Sequence, residues 1–121
     1  MGLPIKLDFY AKQGDSFHSG PMQHLRGSIP APDLTGAVGK CQIRKSPTSG
    51  VISELTVVID NPSEVRYHLE QTAAIMATLP TAGRNVTDYT EYYQDVAFTW
   101  ASGYRETFTH GSLFLSPEVT K

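Results

Sequence analysis

The stretch from Glu91 to Thr120, EYYQDVAFTWASGYRETFTHGSLFLSPEVT, constrains the fold most. Tyr93, Asp95, Ala97 and Thr99 alternate with Gln94, Val96, Phe98 and Trp100, so one set faces a core and the other faces water when the segment is extended. Ala101-Ser102-Gly103 then supplies small residues and a glycine suited to positive φ, and Tyr104 to Phe108 resumes strand composition. The pair reads as an antiparallel hairpin. Gly111 opens a further run, Ser112-Leu113-Phe114-Leu115, and Pro117 ends it because proline cannot donate to a sheet ladder.

The remainder repeats this pattern in shorter pieces. Ile5, Leu7 and Phe9 alternate with Lys6, Asp8 and Tyr10 as an opening strand, and Ser16-Phe17-His18 extends briefly. Gly20 to Pro32 reads as irregular or weakly extended, with Leu25 and Ile29 as inward anchors. Asp33-Leu34-Thr35-Gly36 is a compact turn in which Asp33 bonds backbone two residues on and Gly36 takes the left-handed conformation. Strands follow over Ala37–Lys45 and, past the Ser46–Gly50 loop, over Val51–Ile59; Asp60–Ser63 turns the chain again. Val65, Tyr67 and Leu69 then mark another half-buried strand. Gln71 to Leu79 is the one helical candidate, with Thr72 as N-cap and Ile75, Met76 and Leu79 on one face. The expected architecture is all-β, an antiparallel β-sandwich (Ig-like or jelly-roll-like) or small barrel with one short helical segment, spanning 1–121 as a single domain.

The order of several short motifs adds a resemblance. Gln13-Gly14-Asp15-Ser16-Phe17, Asp33-Leu34-Thr35-Gly36, Gln42-Ile43-Arg44-Lys45, the Thr-Ala helical turn, Tyr93-Gln94-Asp95-Val96, and Gly111 followed by Pro117-Glu118-Val119-Thr120 succeed one another along most of the chain. In this order the chain resembles a broad family of small β-sandwich proteins from tailed bacteriophages and prophages. It is similar also to the N-terminal domain of siphophage baseplate upper proteins. The resemblance implies a virion structural role without catalysis, with other phage virion proteins as partners in a symmetric multi-copy assembly, on the tail, baseplate or fibre side or as a head decoration. It supplies no active-site residues.

The chemistry-bearing residues fit a non-enzymatic reading. Net charge is −2 and the basic residues are dispersed, which excludes the basic stripe of a nucleic-acid binder. No apolar span has the length to cross a membrane, no secretory leader is apparent, and a protein made in the host cytoplasm and carried in the virion is expected. His18, His24, His68 and His110 show no ligand spacing, Cys41 is a lone buried hydrophobe, and no nucleophile elbow, phosphate loop or dinucleotide fingerprint is present, so neither catalytic residues nor a metal or other cofactor are expected. Asp88, Glu91 and Asp95 lack the specificity of a glycosidase pair. The polar connection from Thr81 to Tyr93 is long for so small a domain and poor in aliphatic residues. Tyr89 and Tyr92 are therefore expected to anchor a partner, with Arg84, Asp88 and Glu91 as the charged rim. The alternative is a carbohydrate-binding module using the aromatic loop 81–93.

Overall fold

A computed structural model describes residues 4–24, 33–81 and 89–117. Strands dominate: β1 (Ile5–Lys6), β2 (Phe9–Lys12), β3 (Phe17–His18), β4 (Met22–Gln23), β5 (Val38–Arg44), β6 (Val51–Asn61), β7 (Arg66–Gln71), β8 (Thr90–Thr99) and β9 (Arg105–Ser116), with one helical turn, α1 (Ala73–Met76). The all-β expectation therefore holds, while the purely antiparallel sandwich gives way to one curled mixed sheet. Its order is β1-β9-β8-β5-β6-β7-β3, with β2 also on β9 and β4 also on β7.

The correction has a definite cause. β1 and β2 run parallel to β9, pairing Ile5 with Thr109 and Phe9 with Leu113, whereas the other pairs are antiparallel. An alternating apolar pattern is the same for either direction, so the opening residues did not reveal it. The single opening strand is also broken in two. At the break, Leu7 N–H donates to His110 O (2.8 Å), while the buried Gln94 donates through Nε2 to Leu7 O (2.6 Å). Gly111 makes room for this: a Cβ there would lie 2.3 Å from Leu7 O and 2.7 Å from Asp8 Oδ1.

Curvature is concentrated in β6. Its first half pairs with β5 (Leu55 opposite Cys41) and its second with β7 (Val57 opposite Leu69), so the strand passes from one wall of the molecule to the other. A register shift in the β8–β9 ladder between Val96 and Ala97 bends the opposite wall, because an extra residue on one strand increases local twist. The walls enclose Tyr67, Leu69, Val96, Phe98, Phe108 and Leu113. Tyr67 meets Phe98 edge-on at 5.2 Å, joining β7 to β8 through the interior. The sheet's two ends approach each other: Phe9 of β2 meets Phe17 of β3 at 5.8 Å, and His24, just after β4, stacks on Phe108 at 3.9 Å. The result is a half-barrel, and among the described residues β1 and β4 are not paired with each other.

Most local readings match. Thr35 N–H donates to Asp33 Oδ1 (2.7 Å), Gly36 has φ 77°, and Gly103 turns the β8–β9 hairpin at φ 93°. Val96, Phe98 and Gln94 are fully buried as the alternation requires, while Trp100 lies just beyond β8, packs partly against the core and donates through Nε1 to Asp33 O (2.7 Å). Thr72 caps α1 by accepting from Ile75 N–H, and Met76 and Leu79 are buried. Ile75, expected on the same face, is instead 41% exposed, because the helix stops after one turn. Met22 and Gln23 form a two-residue strand within the segment read as irregular or weakly extended, and Leu25 and Ile29 lie outside the described residues. Among the described residues no helix is long and apolar enough to cross a membrane.

Candidate functional site

The expected contact residues separate into three groups. Arg84 and Asp88 lie outside the described residues. Tyr92 is a core residue, 3% exposed, and its hydroxyl donates to Pro80 O. That corrects its assignment as an exposed anchor: β8 begins at Thr90, so Tyr92 shares the inward parity of Gln94, Val96 and Phe98. Tyr89 and Glu91 are exposed.

Tyr89 is not isolated. Tyr10 of β2, 64% exposed, stacks on Phe114 of β9 with ring centroids 5.0 Å apart, and Tyr89, 50% exposed, meets Tyr10 edge-on at 5.5 Å. The trio follows from register. Tyr10 pairs with Phe114, and Phe114 with Glu91, so Tyr10, Phe114 and Glu91 form one row across β2, β9 and β8 on the outer face. Beside the row, Ser112 donates through Oγ to Glu91 Oε2 (2.5 Å) and through its backbone N–H to Asp8 Oδ1 (2.9 Å). Glu91 also borders an open depression of about 410 Å³ shared with Lys45, Pro80 and Thr90. The surface therefore offers three aromatic rings, a carboxylate held by a hydroxyl, and an ammonium close by. Tyr10 and Phe114 were missed in sequence because their partnership depends on the parallel register of β2.

A second cluster lies on the β3–β7 wall. His18 and Glu70 are direct cross-strand partners, and His68, two residues before Glu70, points to the same face. His68 bonds Asp60 through Nδ1 (2.9 Å) and Glu70 through Nε2 (2.8 Å), and His18 stacks on it at 4.5 Å with 17° between the rings. Hydrogen bonds to these carboxylates, Asp60 first and then Glu70, hold the His68 pKa above the ordinary histidine value. Candidate ligand atoms of His18, His68 and Glu70 lie within 4.8 Å of one another. Spacing along the chain does not reveal this set, because the strands bring it together from distant positions.

Two further buried ionisable groups lie in the core. Cys41 is fully buried, and burial pushes its thiol up to about 12; burial likewise pushes the Tyr67 phenol up to about 12. Neither is an activated nucleophile. Compared with known proteins, the chain matches no family model and no curated protein.

Proposed function

We propose that the protein is a non-enzymatic structural component of a tailed-bacteriophage virion, an adaptor or attachment module that binds other virion proteins, as the order of its motifs suggests. The observation that carries the docking surface is the Tyr10–Tyr89–Phe114 trio with Glu91 beside it. Large aromatic rings with few rotatable bonds and polar tips suit the centre of a protein interface, and a carboxylate at their margin suits its rim. Tyr89 and Glu91 keep the roles read from sequence, Tyr10 and Phe114 join them, and Tyr92 leaves the set.

The test is incorporation. Tyr10→Ser with Tyr89→Ser changes exposed rings only, so the free protein should keep its melting temperature within a few degrees while its copy number in purified particles, counted by quantitative mass spectrometry, falls at least tenfold. Undiminished incorporation would remove this face from the assembly contact. A second reading, a carbohydrate-binding module, is favoured by one feature: the exposed Tyr10 ring lies in the same row as the Glu91 carboxylate, an arrangement suited to stacking a sugar and accepting from its hydroxyls. Glycan-array binding lost in Tyr10→Ser would support that reading over the first.

A further inference from the structure

We propose that His18, His68 and Glu70 bind one divalent transition ion of the zinc class, with Asp60 as the positioning residue behind His68. Half of the site is already arranged. His68 presents Nδ1 to Asp60 at 2.9 Å, and when that nitrogen carries the proton, Nε2 is free to ligate on the side of Glu70. A carboxylate fixing one ring nitrogen while the other meets a metal is the usual support for a ligating histidine. The separation of His68 Nε2 from Glu70 Oε1, 2.8 Å, is a hydrogen-bond contact; two tetrahedral ligands held about 2.0–2.1 Å from one ion lie about 3.3 Å apart, so the exposed Glu70 carboxylate swings back by about 0.5 Å to admit it.

His18 completes the set by a side-chain movement. Its Nδ1 accepts from Gly20 N–H (2.9 Å), and its ring lies face-on to His68, whereas a ligating ring meets the ion edge-on. Two ligands of one ion are also no more than about 4 Å apart, closer than the present 4.8 Å limit of the cluster. Ligation therefore turns the exposed His18 ring, breaks one solvent-exposed hydrogen bond and moves the ring inward. β3 is only two residues long and edges the sheet, so no other element has to shift. Two imidazoles and one carboxylate favour zinc, nickel or copper over magnesium or calcium, which prefer oxygen alone. An imidazolium bridging Asp60 and Glu70 accounts for His68 without any metal, but it gives no role to the second imidazole stacked on it.

The experiment is calorimetric titration of the untagged full chain with zinc chloride at pH 7.5, with magnesium chloride as control. One zinc per chain should bind and magnesium should not. His18→Ala leaves the His68 bridge intact, which circular dichroism and melting verify, and should weaken zinc at least tenfold. Asp60→Asn should weaken it by about 10- to 100-fold. Absence of saturable zinc binding, or undiminished affinity in His18→Ala, would overturn the site and leave an ionic bridge alone.

Discussion

At the residue scale the least replaceable position is Gly111. Any Cβ there collides with the Leu7 carbonyl, which is backbone and already held by Gln94 and by the β1–β9 pairing. Gly111→Ala is expected to cost about 1–3 kcal/mol, read as a lower midpoint in urea at unchanged slope. Gln94→Leu keeps the volume but leaves Leu7 O without its donor, and should cost about 1–3 kcal/mol by the same measurement. Cys41 and Tyr67 set the alkaline limit. Both have folded pKa values near 12, raised from 9.0 and 10.0, so the stability they contribute is complete below those unfolded values and is lost as pH rises toward 12. Stability should decline from about pH 9, by up to about 1.4 kcal/mol per pH unit for each group, and Cys41→Ala should remove the first part of that slope. Sequence indicated Cys41 as a lone buried hydrophobe. It gave no sign of the Gln94–Leu7 bond, because that depends on where β1 breaks.

At the element scale, legibility followed parity. Gln94, Val96 and Phe98 were readable because strict alternation leaves only two assignments, and Pro117 marked where the last strand ends. Tyr92 obeyed the same parity but was read as part of the preceding connection, a boundary error of three residues, since the strand starts at Thr90 and not at Tyr93. Phe98→Ala should cost about 3–5 kcal/mol, as for a fully buried aromatic. Trp100→Ala should cost less, about 2 kcal/mol, because the ring is only partly buried and loses one bond to Asp33 O. A melting-temperature comparison of the two variants checks the order, and a larger loss at Trp100 would contradict it. The histidine cluster and the aromatic trio were illegible for a shared reason: both are cross-strand sets, and periodicity within a strand carries no information about its neighbour.

At the scale of the whole molecule, β6 prevents the two walls from being independent, since a single strand supplies hydrogen bonds to both. Hydrogen exchange should therefore show β5, β6 and β8 as the slowest group, exchanging together. The two-residue strands β1, β3 and β4 should exchange first, since among the described residues each is held to the sheet along one side only. Exchange of β8 ahead of β3 would refute that order. The composition and turn spacing announced an all-β chain, but closure could not be inferred, because the walls meet through Tyr67, Phe98 and Phe108, residues that any sheet would bury. The parallel docking of β1 and β2 on β9 has one more consequence, which concerns load. Tension applied through the chain before β1 and after β9 pulls parallel neighbours in opposite directions along their length, so the ladder is sheared as a unit instead of being unzipped bond by bond. A fold loaded this way resists extension until many bonds yield together, and a component under tension benefits from that resistance.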